Sequence, residues 1–139
     1  MNSKLNDDLV RIVLKRNELN RLNYDNPEYD QVEEELHDME DLFVNIHGKY
    51  LEGVLAAVHK EVCPDTEVMV PIAYVAKKYT VTHNAQPDNL QFEPGFNEGL
   101  IIDARGHPDE LYRLVLVPSP ARLILQAGKK FRKEVWVDQ

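Results

Sequence analysis

Between Asp25 and Lys60 apolar residues return at helical spacing almost without a break, and the rest of the chain must accommodate that rod. Val32, Leu36, Met39, Phe43, Ile46 and Tyr50 alternate steps of four and three, the a/d seam of a helix packed on another helix. A matching stripe precedes it. Leu5, Leu9, Ile12, Leu19 and Leu22, with Val13 beside them, predict a first helix that starts at an Asn2 or Ser3 cap and ends near Asn23. Arg16 interrupts that stripe, and a polar residue there can set register if it finds a partner.

Asn-Tyr-Asp-Asn-Pro separates the two patterns. Pro27 suits the first position of the second helix, with Asn26 or Asp25 as its cap and Glu28 and Asp30 near the positive end of its dipole. So short a connection folds the helices back antiparallel. A turn centred between Tyr24 and Asp25 sets Arg16 opposite Glu33 and Ile12 opposite Leu36, with Leu5 reaching toward Phe43. The second helix then overruns the first. Its apolar face widens at Tyr50, Leu51, Val54, Leu55 and Val58, which calls for cover from the C-terminal part of the chain. Gly48 and Gly53 lower helix propensity locally, yet the pattern reads as one helix ending before Pro64.

Beyond Asp65, Pro71, Ile72, Val75, Ala76 and Tyr79 have the spacing of a short helix, and His83 to Asn97 reads as a long surface loop. From Gly99 the period shortens. Leu100–Ala104, Leu111–Val117, Arg122–Ala127 and Arg132–Val137 predict four strands of an antiparallel meander separated by turn residues. Leu114, Leu116, Leu123, Leu125, Val135 and Val137 are expected on the face toward the helices. Val115, Ile124 and Trp136 are expected on the other, where they need cover or an interface. The expected class is α+β: a helical hairpin over residues 1–60 and a small β-rich module over 61–139 with a short extra helix, forming one folding unit.

With 139 residues, 43% hydrophobic and 29% charged, the chain has the material for one globular domain. The net charge of −8 argues against nucleic acid or an anionic membrane as the main partner. Cys63 stands alone, which excludes an internal disulfide and multi-cysteine zinc sites and fits a reducing cytoplasm. No apolar run has the length of a signal-peptide core or a membrane span, so a soluble, unexported protein is expected.

The main chemical feature is acidic. Asp25, Glu28, Asp30, Glu33, Glu34, Glu35, Asp38, Glu40 and Asp41 occur with no Lys or Arg among them. The run is either a solvated exterior or a docking surface, for which Asp25, Glu28, Glu34, Asp38 and Asp41 are the candidate residues. Glu34 and His37 make one half of the Glu-x-x-His motif of di-metal bundles, but no second copy exists and no metal or cofactor is expected. Ser119 lacks a nucleophile elbow, and Cys63 follows a helix C-terminus, whose dipole disfavours the thiolate. His83 and His107 could act as bases but have no identifiable partner. Lys129, Lys130, Arg132 and Lys133, near Trp136, form a basic turn that reads as edge protection.

At the hairpin tip, Asp25-Asn26-Pro27-Glu28-Tyr29 is similar to the acidic tip of Gre-type transcript-cleavage factors, in which Asn-Ala-Glu-Tyr follows an acidic residue. The resemblance implies a helical hairpin joined to a β-rich domain, with the tip inserted in the RNA polymerase secondary channel. It also implies magnesium held by two acidic residues three apart just before that segment. Asp25 matches the second of these, and Leu22 stands at the first. The leading expectation is a non-enzymatic cytoplasmic protein that binds an unidentified protein partner through the acidic hairpin or a sheet face, with a homodimer as one option for its own state. A polymerase-channel factor is the alternative, and a small enzyme or ligand binder using the 83–97 loop is the third.

Overall fold

The computed structural model describes residues 3–83, 90–106 and 110–138. Its elements are α1 (Ser3–Asn20), α2 (Tyr29–Val62), a 3₁₀ turn (Pro71–Tyr74), and strands β1 (Tyr79–His83), β2 (Leu90–Pro94), β3 (Leu100–Ile102), β4 (Tyr112–Val117), β5 (Arg122–Ala127) and β6 (Phe131–Val137). This is the expected α+β class: two helices followed by a four-stranded antiparallel sheet, in the order β3-β4-β5-β6.

α1 stops at Asn20, short of Asn23, for a local reason. The Asn20 side-chain amide donates to the Arg16 carbonyl, and Arg21 and Leu22 close tight bonds back to Glu18 and Leu19, satisfying orphan carbonyls of the last turn. α2 starts two residues later than Pro27. Asn26 does not cap it; its Oδ1 accepts the Glu28 N–H at 2.8 Å, and the Tyr29 N–H bonds the Asn26 carbonyl, so the amides that would open a helix close a turn. α2 is otherwise one unbroken helix of 34 residues.

The expected register is wrong. Arg16 pairs with Glu40, not Glu33: Nη2 and Nε donate to one Glu40 carboxylate oxygen at 2.8 and 3.0 Å. Lower down, Asp8 meets His47. The midpoint rule assumed a symmetric turn. Arg16 lies near the end of α1, whereas Glu40 lies eleven residues into α2, so α2 projects past α1 by roughly 10 Å at 1.5 Å per residue.

The buried rows also differ from the expected seam. α1 buries Leu5, Leu9, Val13 and Asn17, and α2 buries Phe43, His47, Leu51, Leu55 and His59, both at steps of four. Such rows are the ridges of ordinary globular helix packing, not a heptad seam. Ile46 and Tyr50 are consequently about half exposed, at 46% and 47%.

In the C-terminal part the expected short helix shrinks to the 3₁₀ turn, and Tyr79 opens a strand. The expected 83–97 loop is also corrected, because Leu90–Pro94 forms β2 and pairs antiparallel with β1, Val81 opposite Phe92. Residues 84–89 and His107 lie outside the described residues. β4 and β5 pair with Leu114 opposite Leu125 and Leu116 opposite Leu123. β6 carries a bulge that sets Trp136 opposite Leu123 and Glu134 opposite Ile124. The extra residue moves Trp136 to the face of Leu123, and its ring meets Tyr50 of α2 edge-on at 6.4 Å. Val115 and Ile124 are buried too, so neither sheet face is left bare there.

One continuous core joins Leu5, Leu9 and Ile12 of α1, Phe43, Leu51 and Leu55 of α2, and Leu114, Leu116 and Leu123 of the sheet. Each fully buried Leu or Ile contributes roughly 2 kcal/mol. Polar bonds fix the parts laterally. Asn17 behaves as a piece of strand edge, its Nδ2 donating to the Tyr79 carbonyl and its Oδ1 accepting the Tyr79 N–H, both at 2.9 Å. Arg16 Nη1 donates to the carbonyls of Val75 and Ala76 at 3.0 and 3.1 Å. Asn6 Oδ1 accepts the Ser119 N–H at 2.7 Å.

Candidate interaction surface

Helical geometry sets two groups of acidic residues apart on α2. Glu35 and Glu40 turn toward α1, where Lys15 and Arg16 meet them at 3.9 and 2.8 Å. Glu34, Asp38 and Asp41, at i, i+4 and i+7, form one stripe directed away from the core, and all three are exposed. Asp25 and Glu28, at the hairpin tip, are exposed as well. Among the described residues no cation forms an ion pair with any of these five. The result is a one-signed face whose like charges at i, i+4 cost the helix a few tenths of a kcal/mol each.

At the tip, Tyr24 and Tyr29 stack at 4.7 Å between ring centres. Leu22 is half-buried there, so the position that pairs with Asp25 in the Gre resemblance carries no carboxylate. The hairpin is also tied down close to its tip, since the Asn20 side chain donates to the Lys77 carbonyl. Glu34 and His37 are both exposed, and no group of three or more His, Cys, Asp and Glu side chains converges among the described residues.

The buried polar groups are a different population, missed by pattern reading. His47 Nε2–H donates to Asp8 Oδ2 at 2.7 Å, with Lys4 at 3.4 Å from the same carboxylate. Burial alone would raise the Asp8 carboxyl. The hydrogen bonds from His47 and Lys4, with their charges, outweigh burial and hold it below the ordinary 3.8. A carboxyl depressed in the folded state adds stability that is fully present above its unfolded value and lost as pH falls through its folded one. Asp8→Asn should therefore cost roughly 2 kcal/mol at neutral pH. Urea titrations of the two proteins should converge as pH drops below 3.8. A gap independent of pH would show that the charge at Asp8 contributes nothing.

His59 Nδ1–H donates to the Thr66 carbonyl at 2.9 Å, and its Nε2 accepts the Tyr74 hydroxyl at 2.8 Å. Tyr74 in turn accepts the Met69 N–H at 3.0 Å. Cys63 sits in the same region, fully buried, and burial pushes its thiol up to about 11, far from a nucleophile's range. Among the described residues no buried side-chain polar atom lacks a hydrogen-bond partner, so these groups act as structural ties. The signal that could have located His47 and Asn17 is the four-residue row: each continues a run of buried apolar residues at that step.

The basic turn is partly consumed. Arg132 donates to Glu93, to Gln126 Oε1 and to the Pro94 carbonyl, and Lys129 lies over the Phe96 ring at 5.1 Å. Trp136 faces Tyr50, so the turn and the indole do not combine into a stacking platform. Ser119 lies in a turn with its amide held by Asn6. An open cleft of about 450 Å³ lies between α1 and the start of β2, where Asn6, Asp7, Arg11 and Ser119 face Val10, Leu90 and Phe92.

No helix among the described residues is long and apolar enough to cross a membrane. No protein-family model, curated protein or solved structure matches the chain.

Proposed function

We propose that this chain is a non-enzymatic interaction module that offers the outer face of α2 to a basic surface of a partner protein. The observation that carries the reading is the stripe Glu34, Asp38 and Asp41: exposed, repeated at helical spacing, and unmatched by any cation among the described residues. A basic partner relieves the self-repulsion of that face, and most of the attraction comes from charges that salt screens over about 8 Å.

The test is charge reversal. The variant Glu34→Lys/Asp38→Lys/Asp41→Lys keeps good helix formers at exposed positions, so its thermal stability should stay within about 0.5 kcal/mol of wild type or rise. Proteins that wild type captures from native lysate and releases on raising salt should be absent from the variant's eluate. Capture of the same set by both proteins overturns the reading.

A second reading rests on the α1–β2 cleft, where Arg11, Asp7 and Asn6 converge beside Phe92. It is the binding of a small polar ligand. A thermal-shift screen of charged metabolites would show stabilisation that disappears in Arg11→Ala.

A further inference from the structure

α2 carries a second outward face, about a third of a turn round from the acidic stripe. Met39, Leu42, Ile46, Tyr50, Gly53 and Ala57 follow one another at steps of three and four along it. Leu42 is 59% exposed, Ile46 and Tyr50 are about half exposed, and Gly53 and Ala57 are open to solvent. The face forms a shelf with a wall at each end. Toward the N-terminal half, Lys4 and Arg11 of α1 rise beside Leu42 and Ile46. Toward the C-terminal half, Val135 and Trp136 of β6 flank Gly53 and Ala57 along a groove of about 520 Å³.

The shelf falls off in size from Met39, Leu42 and Ile46, past the planar ring of Tyr50, to Gly53 and Ala57. Gly53 is the telling member. A Cβ added there would meet nothing within 4 Å, and the backbone does not need a glycine conformation. Glycine inside a helix costs about 1 kcal/mol relative to alanine. Nothing among the described residues calls for it, whereas the close approach of another molecule would.

We propose that this shelf is the two-fold interface of a homodimer in which the α2 helices of two copies lie antiparallel. Reversing the series against itself sets Met39 against the partner's Ala57, Leu42 against the partner's Gly53, and Ile46 against the partner's Tyr50. Every bulky residue of the first half then meets a small or planar one, and the two-fold axis makes each contact twice. Charge agrees with this register: Lys60 comes opposite Glu35 across the axis, and both are exposed, Glu35 reaching Lys15 of its own α1 only at 3.9 Å. A foreign helix would have to match both the size gradient and the charges, whereas a second copy does so by symmetry. The acidic stripe stays outside the interface and is displayed twice, so the dimer stands or falls independently of the docking function.

Sedimentation velocity on the full chain tests this. Wild type should show concentration-dependent dimerisation. Gly53→Leu should leave the circular dichroism spectrum unchanged, because the site opens on empty space, and should weaken self-association on the order of 100-fold by filling the seat of Leu42. Exchanging the sizes in Leu42→Ala/Gly53→Leu should restore the dimer. A wild type that stays monomeric at all concentrations, a Gly53→Leu protein that dimerises as well as wild type, or a double variant that stays monomeric overturns the proposal.

Discussion

Arg16→Met should lower the unfolding temperature by roughly 10 °C, the largest effect expected of any charged-residue substitution in the chain. The guanidinium has two duties. It neutralises Glu40 at 2.8 Å where both side chains are 16% exposed, and it donates to two backbone carbonyls beyond the 3₁₀ turn. Met preserves the aliphatic stem, so the loss is polar: a carboxylate left unpaired near the core and two carbonyls without their donor. Breaking one side of such a pair costs about 3 kcal/mol, whereas replacing both partners by apolar groups is far milder. Arg16→Met/Glu40→Leu should accordingly be more stable than the single variant in urea titrations. A single variant within about 1 kcal/mol of wild type would mean that water, not Arg16, serves Glu40 and the carbonyls.

Gly99→Ala should be nearly as damaging, and in a different place. Gly99 has φ +108, and a Cβ there would lie 2.6 Å from the Leu114 carbonyl oxygen and 2.9 Å from the Val115 Cβ. The obstacle is backbone at the middle of the sheet, which cannot move aside as a side-chain end could. A cost of about 3 kcal/mol is expected, from the backbone conformation and overpacking together. Its signature is local: amide exchange of Leu100–Ile102, which pairs with β4 through Leu114, should accelerate more than that of β5. Gly106→Ala and Gly128→Ala are the controls. Both glycines have positive φ but open surroundings, so each should cost only about 1 kcal/mol. Equal losses at all three positions would mean that the contact with β4 adds nothing.

The helices were legible because many apolar residues repeat a period, and β4 to β6 because alternation and turn residues bracket them to within a residue. β2 was hidden because Leu90 and Phe92 supply only two alternating apolar positions amid polar residues and prolines. The bulge in β6 was invisible for the opposite reason: Val135, Trp136 and Val137 are all apolar, and no pattern says which one is extra. The helix register failed on Arg16 because charge complementarity allowed either Glu33 or Glu40, and turn asymmetry decided between them. For the surface, helical spacing alone placed Glu34, Asp38 and Asp41 outward, as found. The buried His47, His59 and Asn17 are polar, so hydropathy passes over them, and only their place in rows of buried residues four apart marks them.

The bond between Asn6 and the Ser119 amide spans 113 residues of sequence, and this has a consequence during synthesis. α1 is made before α2, its main packing partner, and long before the β4–β5 turn whose Ser119 amide Asn6 holds. At 5–20 residues per second, that interval lasts roughly 6–23 s. Throughout it the helical hairpin can close, but the part of α2 around Tyr50 and Val54 still lacks the cover that Val135 and Trp136 of β6 supply. The protein is therefore expected to be a client of ribosome-associated chaperones, and to acquire protease resistance in a single late step rather than progressively along its length.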